Sequence, residues 1–281
     1  MKPRFRSTPT RYAVLAVLLA GLLLHGLTTP TDAARPTRSR PKDKATTQSP
    51  CPVIALDIGH SPRRPGAISA RGVNEYEFNR QIAQRLQRRL LALGTMRAFC
   101  IDAADKDLAP AARAALARRK GANLLLSIHH DSVQPRYLET WEWEGRNRFY
   151  SDRFSGYSLF YSEKNPRARA SLQLGMALGD RLREAGLSPS LHHAEPIPGE
   201  NRELVDSERG VYRFDELLIL KNASMPAVLL ECGIILNRAD ELRALDPAHQ
   251  TVLVEALARA LGDWARATAS SSRANSAPQK K

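Results

Sequence analysis

The formal charge of +13 over 281 residues invites a nucleic-acid reading, and the placement of that charge excludes it. Residues 1–50 hold nine Lys+Arg against two acids and residues 268–281 hold three bases and no acid, which leaves 30 bases against 27 acids for residues 51–267. That middle part is not a basic domain, so no nucleic-acid partner is expected, and it is long enough for one domain with a sizeable core.

The chain opens with Lys2, Arg4, Arg6 and Arg11, followed by the apolar stretch AVLAVLLAGLLL and the small-residue sequence Thr31-Asp32-Ala33. This pattern predicts a secretory signal peptide over residues 1–33. The apolar run falls short of the ~20 residues of a spanning helix. No cysteine lies near the cut to carry a lipid, and no later stretch is long and apolar enough to span. The expectation is a protein exported to the periplasm or cell wall, with no stable membrane anchor after cleavage. RPTRSRPKDKATTQSP, rich in Pro, Ser and basic residues without periodicity, makes 34–50 a disordered basic linker.

From residue 51 the pattern alternates. VIALDI (53–58) reads as a strand, and NEYEFNRQIAQRLQRRLLALG as a helix with Phe78, Ile82, Leu86 and Leu90 four apart and Gly94 at its end. At its start Asn74 reads as the N-cap, with Glu77 as the reciprocal capping residue. RAFCI (97–101) is a strand, PAARAALARRKG (110–121) a helix between Pro and Gly, and NLLLSI a third strand. A long aromatic and charged loop follows, then the strand YSLFYS (157–162), a helix over about 166–185, the strands LLILK and AVLLEC, and a helix to about Trp264. ASSSRANSAPQKK makes 268–281 a disordered tail. The fold class predicted is α/β: a single domain over 51–267, with a mainly parallel (mixed) twisted sheet of about six strands and helices on both faces. Cys51, Cys100 and Cys232 are too poorly matched in position to predict a disulfide.

Ligands of such sheets bind at the carboxyl ends of the strands. There the sequence places polar residues: VIALDIGH ends in His60, LLLSIHHDS carries His129 and His130, and AVLLE ends in Glu231. Successive strand side chains face opposite ways, so His129 and His130 cannot share a site. Buried imidazoles and carboxylates are costly unless paired or metal-bound. A catalytic zinc takes three protein ligands. Glu75, at the first position of the first helix, is free either to reach a metal or simply to favour the helix N-terminus. His192-His193 is a rival pair that follows no strand.

The segments DIGHSPRRPGAIS, GVNEYEFNRQIAQRL, GANLLLSIHHDS and MPAVLLECGIILNRADE together resemble the zinc-dependent N-acetylmuramoyl-L-alanine amidases of bacterial cell separation and spore walls. The family pattern is a strand ending Asp-Pro-Gly-His, a Glu opening the next helix, Ser-Ile-His on a third strand, and Glu-x-Gly-Phe followed by Asn. By that resemblance His60, Glu75 and His129 are the ligands of one zinc ion per chain, and Glu231 is the catalytic acid and base. Ile58 departs from the pattern's Pro, Ser61-Pro62 from a Gly pair, His130-Asp131 from Ala-Asn or Ala-Asp, and Ile234 from Phe; Asn237 is kept.

The resemblance implies peptidoglycan as the partner and the amide between N-acetylmuramic acid and the L-alanine of the stem peptide as the bond cleaved, in wall remodelling or cell separation. Asp57 or Asp131 is expected to orient a ligand imidazole. The stretch 136–157, with Trp141 and Trp143, reads as a wall of the cleft, as an acidic plug over the metal, or as a plain surface loop. Two alternatives use the same residues differently: a zinc peptidase acting on the stem peptide, and a non-catalytic wall-binding module. An activator protein and a septal address are not legible.

Overall fold

A computed structural model of the chain describes residues 51–103 and 107–275. The expected signal peptide and the whole expected linker lie outside the described residues. Among the described residues nine strands and six α-helices follow in order: β1 (Val53–Ile58), α1 (Glu75–Ala92), β2 (Arg97–Ile101), α2 (Pro110–Arg119), β3 (Leu124–Asp131), β4 (Glu139–Trp143), β5 (Arg146–Tyr150), β6 (Ser158–Tyr161), α3 (Ala168–Glu184), β7 (Glu203–Asp206), β8 (Val211–Arg213), α4 (Leu218–Lys221), β9 (Ala227–Ile234), α5 (Arg238–Leu245) and α6 (Pro247–Asn275). Seven strands form one mixed sheet in the order β2-β1-β3-β9-β6-β8-β7, and β4 and β5 form a separate hairpin. From β2 to β9 the strands run parallel, while β6 is antiparallel to β9 and β7 to β8. The α/β expectation holds, with seven strands where about six were predicted.

Side-chain alternation divides the core. Leu124, Leu126 and Ile128 of β3 pack with Leu86 of α1, Leu178 of α3 and Leu257 of α6, whereas Leu125 packs on the other face with Ala117 of α2 and Leu220 of α4. Each fully buried leucine on the first face contributes about 1.5–3 kcal/mol. Three long helices cover that face, and two short ones cover the other. The odd-numbered side chains of β3 therefore lead, at its carboxyl end, onto the thinly covered side.

β4, β5, β7 and β8 form where no strand is predicted, and two predicted segments also differ from the sequence expectation. LLILK is the single helical turn α4 and not a strand: Ile219 and Leu220 are buried while Leu218 is exposed. A short apolar run carries no period long enough to separate helix from strand. The helix α6 continues to Asn275, past residue 267 where a disordered tail was expected to begin. The three cysteines are free thiols, and Cys232 packs against the core.

Candidate metal centre

The parallel strands β1, β3 and β9 present their carboxyl ends side by side. In register, Asp57 lies beside Ser127, and His129 beside Glu231. Registered residues of neighbouring strands point to the same face, so His129 and Glu231 project together on the thinly covered side.

Chain direction changes immediately after β1. His60 adopts φ 67°, a left-handed backbone uncommon for a residue with a side chain. Arg113 of α2 holds that turn from behind: its guanidinium donates to the carbonyls of Ile58 (2.7 Å) and His60 (2.6 Å), and its Nε to Leu108 (2.8 Å). Asp57 completes the support, accepting from Ser127 Oγ at 2.7 Å. Asp57 is thus tied to the scaffold and orients no ligand imidazole, contrary to the expectation for it. Asp131 contacts His192 and His193 instead, so that expectation fails for it too.

The opening of α1 supplies the third group. Its first backbone N–H groups are satisfied by the preceding loop: Glu75 N donates to Ala67 O and Tyr76 N to Pro65 O. Asn74 consequently makes no side-chain cap bond, and Glu77 turns forward to Arg80, so the expected capping pair does not form. Glu75, buried, points inward. Its Oε2 accepts from Ala67 N at 3.0 Å, and its Oε1 from Asn79 Nδ2 at 3.1 Å. His60 Nε2 lies 3.0 Å from Glu75 Oε2, and His129 Nδ1 lies 3.0 Å from Glu75 Oε1. Burial alone would raise the Glu75 pKa, but the hydrogen bonds and charges of His129 and His60 outweigh it and hold the carboxyl well below its usual range. The three donor atoms lie within 4.8 Å of one another and can hold a metal ion together.

Two glycines make room for this cluster. A Cβ on Gly59 would stand 2.5 Å from the His129 ring, and one on Gly66, at φ +79°, would collide with Glu75 and His60. His130 faces the opposite side, as alternation requires. It is buried against Phe78, and its Nδ1 lies 2.9 Å from Asn79 Oδ1. Asn79 therefore connects His130 to the carboxylate of Glu75, a role the sequence did not disclose. Glu231 sits beside His129, its buried Oε2 without a hydrogen bond among the described residues, and burial first, then the charges of Asp131 and Glu75, pushes its carboxyl well above the ordinary range.

Beside His60 and His129 opens a cavity of about 370 Å³ with Leu217, Ile219 and Leu229 on its apolar wall and Arg64 at its edge. On another side, β4 and β5 turn the aromatic segment into a hairpin. Trp141 and Trp143 stack with centroids 5.2 Å apart, and Arg71 lies over both. Glu139 bonds Tyr150, Asp152 pairs with Arg238, and Glu142 and Glu144 are exposed. These four acids are spent on the hairpin or on solvent, which disfavours the plug reading. Asn237 caps α5, accepting from Ala239 N and Asp240 N.

The family model for N-acetylmuramoyl-L-alanine amidases, Amidase_3, matches residues 54–263. The chain belongs to this amidase family of peptidoglycan hydrolases. A Buchnera aphidicola chain named as an N-acetylmuramoyl-L-alanine amidase is 25% identical over 210 residues, which cover 74% of this chain and 94% of that one. AmiC of Neisseria meningitidis is 28% identical over 199 residues, 68% of this chain and 47% of its own length, so the amidase spans about half of that relative. Among solved structures, the amidase of Clostridium difficile 630 and Ami1 of Mycobacterium smegmatis each superpose with TM-score 0.59 at 20% identity, over 77% of this chain and 97% of theirs. Those likenesses support the fold. His60, Glu75, His129 and Glu231 all lie within the matched residues.

Proposed function

We propose that this amidase hydrolyses the amide joining the lactyl group of N-acetylmuramic acid to the first L-alanine of the stem peptide, as an exported enzyme of wall remodelling or cell separation. His60, Glu75 and His129 would hold one zinc ion, the donor set of a catalytic site with an open position. The observation that carries the reading is the register of β3 with β9, which sets Glu231, with its unpartnered buried oxygen, beside His129. When bound, zinc supplies Lewis acidity for the carbonyl and a water whose pKa is lowered toward ~7.

The chain's own residues do the rest. Glu231 takes the proton from the attacking water and returns it to the departing amine of L-alanine, which makes a poor leaving group a neutral one. Asn79, Ala67 N and Gly66 keep Glu75 aimed, while Arg113 fixes the backbone that carries His60. The apolar wall of Leu217, Ile219 and Leu229 excludes water from one side of the scissile bond.

Digestion of purified sacculi tests the reading. The amidase should release intact stem peptides bearing a free L-alanine amine, and a chelator should stop it. Glu231→Gln should lower the rate by roughly 10²–10⁴ while zinc content is unchanged. Release of shortened peptides, with the lactyl amide intact, would sink this assignment in favour of a stem-peptide peptidase. No release, together with indifference to Glu231→Gln, would leave a wall-binding module.

A further inference from the structure

A second cluster lies outside the site just described. Asp131 ends β3 two residues beyond His129, and the single 3-10 turn His192–Ala194 brings two imidazoles over it. His193 Nε2 stands 2.8 Å from Asp131 Oδ2, and His192 Nε2 stands 3.3 Å from the same oxygen. The other carboxylate oxygen is occupied, because Asp131 Oδ1 accepts from Ser132 N at 2.7 Å. Each imidazole is held at its far nitrogen: His193 Nδ1 by Glu200 Oε2 at 2.8 Å, and His192 Nδ1 by Ser190 Oγ at 2.9 Å.

That is the arrangement of metal-ligating histidines, in which one nitrogen is fixed by a carboxylate or hydroxyl so that the other offers its lone pair. An ion pair without metal, with a protonated His193 bridging Asp131 and Glu200, explains only half of it. Among the described residues it leaves His192 Nε2, on a side chain 1% exposed, with no hydrogen bond although it aims at the cluster. An imidazole so buried is costly without a partner, and a cation between the three donors supplies one. The donor atoms lie within 4.8 Å of one another, as they do in the first cluster.

We infer that Asp131, His192 and His193 form a second site for a divalent cation of the zinc class. Two imidazoles and one carboxylate leave a coordination position open. Asp131 and His193 are each 12% exposed, against 1% for His192. The ion ties the loop carrying His192 and His193 to the end of β3, next to the strand end that carries His129. The inference stands on different residues from the first site and does not depend on it.

Metal titration of the full chain decides the matter. The protein is stripped with a chelator and titrated with Zn2+ alone, then with Co2+ alone while the visible absorption of the bound ion is followed. The expected result is two equivalents in the wild type, one in His192→Ala/His193→Ala, and one in His60→Ala/His129→Ala. A wild type that saturates at one equivalent, lost in His60→Ala/His129→Ala, overturns the second site and leaves the first standing. A single equivalent lost only in the His192/His193 variant would support the second site and overturn the first. Two equivalents retained in the His192/His193 variant would also overturn the proposal. Asp131→Asn, a milder change that keeps the side-chain size, should weaken the second equivalent alone, and two equivalents at wild-type affinity in it would equally overturn the proposal.

Discussion

Gly59 and His60 show how much of the site is set by single residues. The His129 ring rests where a Cβ of residue 59 would be, 2.5 Å away, and His60 then needs a left-handed backbone to bring its own ring within 4.9 Å of it. Gly59→Ala should therefore displace His129 and weaken zinc binding, on the order of 10–100-fold for a ligand that has lost its support. Competition with a coloured chelator would measure this, with Gly262→Ala as control, since a Cβ there meets only the end of Arg266. Unchanged affinity would mean that the ring does not ligate. His60, His129 and Glu231 are legible in sequence because each ends an apolar run; alternation says that only one of His129 and His130 can enter the site, and the family resemblance selects His129. Asn79 and Gly66 were not legible: an Asn inside a helix and a Gly in a loop have many bland uses, and only the folded chain brings both to Glu75. The capping pair was misread for a related reason, since the loop carbonyls of Pro65 and Ala67 had already taken the donors that a cap would serve.

At the scale of elements, α2 is a short helix that buries few side chains, yet it contributes the buried Arg113. Its guanidinium joins α2 to the end of β1 through charged hydrogen bonds with the carbonyls of Ile58 and His60, and through the carboxylate of Asp57. Arg113→Met should cost on the order of 2–3 kcal/mol in urea unfolding, because it leaves buried acceptors unpaired. It should also reduce activity more than a surface substitution such as Arg118→Met. Equal stability of the two variants would show the clamp to be ornamental. Flanking Pro and Gly marked α2, and sequence periodicity revealed α1 by its four-residue apolar spacing. It failed for LLILK because one turn of helix and one short strand bury the same number of apolar residues. The β4–β5 hairpin escaped notice because its half-buried face, Trp141, Trp143, Arg148 and Tyr150, mixes aromatic with charged side chains and holds no aliphatic residue.

Across the whole molecule the sheet is thick on one face and thin on the other. The three-helix face carries the larger cluster, with long helices α1, α3 and α6 packed through leucines, so the fold does not need an ion to close its core. The opposite face is closed by the short α2 and α4, and there the metal centre joins the turn after β1, the start of α1 and the end of β3. The proposed zinc would then act as a ligand that binds the folded state, stabilising it by about 2.7 kcal/mol at a hundredfold excess over Kd. For a domain of this size that corresponds to a melting temperature higher by roughly 5–10 °C. Chelation should remove that increment while leaving the far-ultraviolet circular dichroism at 25 °C unchanged. The increment should shrink in His129→Ala. If chelation instead unfolds the protein, the thick face is not the autonomous core that its packing indicates. If the His129→Ala variant keeps the full increment, the stabilising ion sits elsewhere, and titration of the Asp131 cluster would say where.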